Sequence, residues 1–250
     1  MHNQLVKGKE DIIFLISLCD KAGRFDDMFD YFAEYMDKGN EVSERERQLY
    51  SICIKESIGT RRNAWRSLKY LNSHKSVEPK GQADYPLSLE RSLVAAIKTR
   101  IEIAIAQLTK NILPTCLAAQ QRVFFLKLRG DLERYNAEVT SGDEHEHWSY
   151  LAHSTYREAG DVAMCRLKPS DPVRLSLMLN LSVFYYEILN SPERACIVSK
   201  AACDDAIDVG LLSDQKKPED ENEQKEAIEL FNSITANLRR WCSHLYPQTL

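Results

Sequence analysis

Apolar side chains recur at three- and four-residue spacing along almost the whole of this chain, a period that belongs to helices and to no other regular structure. Ile12, Leu15, Ile16 and Cys19 make one stripe, ending near Gly23; Phe25, Met28, Phe29, Phe32 and Met36 make the next, closed by Gly39. Ser43 followed by Glu46 is a capping-box pattern, and the helix it opens is expected to run to about His74. The stretch 75–85, with Pro79, Gly81 and the nearby Pro86, reads as a loop. Further helices are expected over about 88–112, 117–140, 145–166, 172–189 and 192–211, with Pro114 as a stop, Asp171 as a cap and Pro192 in a first turn. Ser213 to Glu226 is nearly all polar and reads as a loop into a last helix that ends near His244. No run alternates apolar and polar residues between turn signals, so no strand is expected. The reading is all-α, about nine helices, with one domain over 1–244 and a short tail over 245–250. Nine glycines and eight prolines in 250 residues fall well below the usual share of about 12%, as long helices with few tight turns require.

The formal net charge of −4 argues against a nucleic-acid partner, and no apolar run approaches the roughly 20 residues of a membrane span. The seven cysteines form no CxxC pair and no secretory leader is read, so reduced thiols in a cytoplasmic or nuclear setting are expected. Against this acidic background Lys55, Arg62 and Arg66 sit at i, i+7 and i+11, within about 40° of one another on a helix surface. Arg134 and Tyr135 add a second guanidinium and a phenol. Two readings compete. A solvated basic face explains the spacing; so does a site for a dianionic phosphate monoester, since guanidinium forks, an ammonium and a hydroxyl suit its oxygens.

Longer blocks bear on that choice. Residues 190–207 read NSPERACIVSKAACDDAI and are preceded by LNLSVFYYEIL over 179–189; residues 61–66 read RRNAWR and 123–135 read VFFLKLRGDLERY. In order and content, from about residue 8 to Trp241, these resemble the 14-3-3 proteins. The resemblance implies a horseshoe of nine antiparallel helices, usually dimeric, whose groove binds phosphoserine or phosphothreonine peptides of client proteins without catalysis or cofactor. It assigns the phosphate to Lys55, Arg62, Arg134 and Tyr135 with Arg66 in support. It assigns the peptide backbone to Asn180 and Asn237, and the groove lining to Lys127, Asp131, Leu179, Val183, Glu187, Leu230, Ser233 and Trp241.

Two departures stand out. On the last helix, positions that relatives fill with leucine are Glu229, Ser233 and Arg240, leaving Leu230, so preference for apolar residues beside the phosphosite is expected to weaken. At the dimer contact, Leu18, Ala22, Ala64 and Leu68 match apolar positions and Arg24 and Asp27 charged ones, with Leu89 and Arg91 on the fourth helix. The usual charged partners there become Ser92 and Ala96, and a homodimer, or a heterodimer with a paralogue, is still expected because exposed ion pairs contribute only about 0 to 1 kcal/mol each. The penultimate Thr249, if phosphorylated, resembles a ligand of this family and could occupy a groove of its own kind. Outside the resemblance, His145, Glu146, His147 and His153 are weighed as a metal cluster and rejected on geometry, because alternate residues of a helix point apart. A helical scaffold or holdase indifferent to phosphorylation remains the alternative.

Overall fold

The computed structural model describes residues 8–73, 84–213 and 221–245, so Thr249 lies outside the described residues. Among the described residues there are nine α-helices and no strand: α1 Lys9–Lys21, α2 Phe25–Asp37, α3 Glu44–Ser73, α4 Asp84–Gln107, α5 Ala119–Val139, α6 Gly142–Arg166, α7 Pro172–Glu187, α8 Pro192–Asp208 and α9 Glu221–Leu245. The helix ends follow local chemistry. The Ser43 amide donates to Glu46 Oε2 at 2.7 Å and the Glu46 amide to Ser43 Oγ at 3.4 Å, the reciprocal capping box that starts α3. Gly23, with φ of +64°, ends α1 in a Schellman turn: its amide reaches Asp20 O, and the Arg24 amide reaches Cys19 O. Asp171 caps α7 by accepting from the Val173 amide at 2.8 Å.

Some boundaries differ from the sequence expectation, three of them beside a proline or in a polar stretch. α4 begins at Asp84, ahead of Pro86, because first-turn amides have no acceptor within the helix and a proline there forfeits nothing. At its other end α4 gives way at Gln107 to a π-helical turn, Leu108–Ile112, then a 3-10 turn, Leu113–Thr115, that contains Pro114. A proline ring clashes with the carbonyl four residues before it, and a widened turn relieves that clash without breaking the chain direction. α9 starts at Glu221, inside the stretch expected to be loop. Its first two turns are largely exposed and lack an apolar stripe, while Glu221 and Glu223 at the positive end of the helix favour it.

The chain divides into two compact units, Met1–Thr115 and Cys116–Leu250. In the first, Ile12, Ile16, Phe29, Phe32, Ile54, Ile58, Ile97 and Ile101 fill a core among α1 to α4. Asp26 on α2 ties α3 in place: Arg61 Nη1 and Nη2 donate to its two carboxylate oxygens at 2.5 and 2.9 Å, and Ser57 Oγ donates at 2.9 Å. In the second unit α5 lies so close to α6 that a Cβ on Gly130 would stand 2.9 Å from the Tyr156 ring. There α7, α8 and α9 share a cluster that includes Leu175, Ala202, Ala206, Phe231 and Ile234.

Candidate functional site

On α3, Lys55 and Arg66 are exposed and Arg62 half-buried. Their neighbour Arg61, about 100° around the helix from Arg62, is bound to Asp26. Arg61 thus fastens α3 to α2.

In the second unit the candidates converge on one carboxylate. Asp131 is 4% exposed and accepts from Lys127 Nζ at 3.0 Å, one helical turn away. Arg134 Nη2 lies 3.5 Å from Asp131 Oδ1. The Tyr156 hydroxyl, from α6, donates to the same Oδ1 at 2.5 Å and accepts from Arg134 Nε at 3.2 Å. Asn180 Nδ2, from α7, donates to Oδ1 and Oδ2 at 2.8 and 2.9 Å. Burial alone would raise the Asp131 carboxyl; the Lys127 and Arg134 charges and the Tyr156 and Lys127 hydrogen bonds outweigh it and hold the group below its ordinary range. Burial also disfavours charge on Arg134, and the Tyr156 and Asp131 neighbours outweigh that, so the guanidinium stays protonated. Two cations share the Asp131 carboxylate in a mostly desolvated network. The Arg134 guanidinium carbon also stands 4.7 Å from the Tyr135 ring centroid.

The other candidates are placed as follows. Lys127 and Asp131 are buried. The amide nitrogen of Asn180 donates to Asp131, an acceptor only, and its Oδ1 is an acceptor for a ligand. Trp241 is 1% exposed and stacks on Tyr186 with ring centroids 4.8 Å apart, a packing residue. Leu179 and Leu230 pack partly against the apolar cluster, Val183 and Asn237 are half-buried, and Glu187 is exposed. Ser233 is exposed and its Oγ donates to Glu229 O at 2.9 Å; Glu229 and Arg240 are exposed as well, so this flank of α9 is polar. Tyr156 is the participant that sequence reasoning missed. Its one available signal was indirect: a glycine in mid-helix, Gly130, marks the close approach of something bulky.

Of the interface candidates, Leu18, Ala22, Arg24, Ala64, Leu89 and Arg91 are exposed and Asp27 and Leu68 half-buried. Arg24 Nε and Asp27 Oδ2 pair with each other at 2.5 Å within one chain. The histidines are spoken for separately, His145 Nδ1 at 2.7 Å from Ala137 O and His153 Nε2 at 3.1 Å from the Tyr185 hydroxyl. No group of three metal-ligating side chains occurs among the described residues, and no helix described is long and apolar enough to cross a membrane.

A family model described as 14-3-3 protein matches residues 15–242. The chain is 33% identical over 242 residues to Protein BMH2 of Saccharomyces cerevisiae, a match that covers 95% of this chain and 85% of that protein. It is 34% identical over 240 residues to 14-3-3-like protein 2 of Caenorhabditis elegans, covering 94% and 92%, and 35% identical over 240 residues to the 14-3-3-like protein of Fucus vesiculosus, covering 94% and 91%.

Proposed function

The chain belongs to the 14-3-3 family, and from that premise we propose that it captures client proteins through phosphorylated serine or threonine, with Lys55, Arg62, Arg134 and Tyr135 as the phosphate ligands. Family membership supports a phosphopeptide-binding adaptor role and no catalytic one. The observation that carries the finer reading is the shared carboxylate: Asp131 holds both Lys127 and Arg134 in place. A phosphate ester brings about −1.5 to −2 charges and three acceptor oxygens, whereas a bare hydroxyl brings no charge. Charge-assisted hydrogen bonds contribute roughly 1.5 to 3 kcal/mol each, so two or three separate micromolar from millimolar binding. Arg134 enters this site already oriented by Tyr156 and Asp131, which lowers the ordering cost of binding.

Asn180 Oδ1 would accept from a peptide amide, and Asn237 on α9 would supply a second backbone contact. The polar flank of Glu229, Ser233 and Arg240 would relax any demand for apolar residues next to the phosphosite. The decisive experiment compares one client peptide with and without its phosphate by fluorescence polarisation, using wild type and Lys55→Glu. Wild type should bind the phosphorylated form at least about 100-fold more tightly. Lys55→Glu should lose that preference while keeping its circular dichroism spectrum, since charge reversal on an exposed face disturbs little packing. Equal affinity for both forms would transfer the reading to a phosphorylation-independent scaffold. Affinity should also fall below about pH 6, where phosphate loses its second charge.

A further inference from the structure

Cys196 on α8 and Cys242 on α9 bring their sulfur atoms to 3.7 Å of each other. Both residues are half-buried free thiols; Cys19, Cys53, Cys116 and Cys203 are buried, and Cys165 is exposed. The two helices are held face to face by Ala202 and Ala206 against Ala227, Phe231 and Ile234, and by the Cys203 Sγ to Thr235 Oγ1 contact at 3.6 Å. The thiols therefore meet on helices already held in register. A disulfide bond is about 2.05 Å long, so the sulfurs need to close by about 1.7 Å.

We propose that Cys196 and Cys242 are a redox-responsive pair that forms a reversible disulfide, fastening α9 to α8, when oxidised glutathione accumulates. One cysteine thiolate attacks a sulfur of glutathione disulfide, its S–S bond breaks and a first glutathione thiolate leaves. The second cysteine thiolate attacks the protein sulfur of the mixed disulfide and expels a second glutathione thiolate. The two cysteines are oxidised by two electrons, glutathione disulfide is reduced by two, and the two thiol protons pass to the departing glutathiones. Burial, and then the Cys242 thiol beside it, push Cys196 up to about 11. Exchange through Cys196 is therefore slow near neutral pH and faster in alkali, which suits a response to sustained oxidising conditions. The bridge closes a loop spanning a sequence separation of 46 and confines α9, whose packing on α7 and α8 is otherwise non-covalent.

The test uses the full chain carrying Cys165→Ser, so that the exposed thiol cannot compete. After native incubation with glutathione disulfide at pH 8, intact mass should show the loss of two hydrogen atoms, and a non-reducing peptide map should join the Cys196 and Cys242 peptides. The melting temperature should rise by roughly 5–10 °C, and dithiothreitol should reverse both changes. Adding Cys196→Ser or Cys242→Ser should abolish the bridge and the shift while leaving the helical spectrum of the reduced protein unchanged. A stable glutathione adduct on either cysteine with no bridge, both thiols still open to alkylation after oxidation, or a bridge that persists in either serine variant would overturn the proposal.

Discussion

Asp131 answers two buried cations with one carboxylate, and its removal is the most informative single change in the second unit. Asp131→Asn keeps the shape but leaves Lys127 and Arg134 without a counter-charge, and should cost about 3–5 kcal/mol in urea denaturation. A cost below about 1 kcal/mol would mean that the network is not what holds these side chains. The pH dependence follows from the same geometry. The folded Asp131 carboxyl titrates below the ordinary value of 3.8, so its contribution is fully present above that value and is lost as pH falls through the lower folded one. Asp26, held down chiefly by its Arg61 hydrogen bond, behaves the same way in the first unit. Acid titration of stability should therefore show a falling limb below about pH 4, shallower in Asp131→Asn than in wild type. The stripe of Lys55, Arg62 and Arg66 was legible because it obeys helical spacing; Tyr156 was not, because it lies 25 residues from Asp131 with no periodic relation to it.

At the level of the helix, Gly130 reverses an ordinary preference. Alanine in mid-helix is usually better than glycine by about 1 kcal/mol, yet here its methyl would meet a fully buried aromatic ring at 2.9 Å. Gly130→Ala should destabilise by about 1–3 kcal/mol and, by displacing Tyr156, weaken phosphopeptide binding as well. Denaturation and polarisation on the same sample check both effects; an alanine variant more stable than wild type would mean that α5 and α6 separate freely. Helix ends that rest on a cap were legible within a residue or two, as Ser43, Gly23 and Asp171 show. Some ends without a cap signal were not. Pro86 and Pro114 marked irregularity without saying whether the chain would stop, and the polar start of α9 lacked the stripe by which a helix is recognised.

For the whole molecule the expected assembly is a homodimer, and its apolar interface candidates Leu18 and Leu89 are exposed in the first unit. Leu18→Glu should weaken dimerisation by roughly tenfold or more in sedimentation velocity, because it places a charge where an apolar contact is expected. Each chain should keep its affinity for a singly phosphorylated peptide. A doubly phosphorylated one should lose the advantage of about 10² to 10⁴ that two linked grooves confer. Equal affinities for singly and doubly phosphorylated peptides in wild type would remove the bivalent reading. The amino-acid sequence alone determined the all-α class, the placement of most helix ends and the cationic face of α3, because each depends on contacts within about four residues along the chain. Only the tertiary structure decided that Arg61 fastens α2, that Asp131 accepts from the amide of Asn180, that Trp241 packs inside, and that Cys196 meets Cys242. Those pairings join residues 35 to 49 positions apart, or depend on how helices crowd together, and helical spacing carries no trace of either.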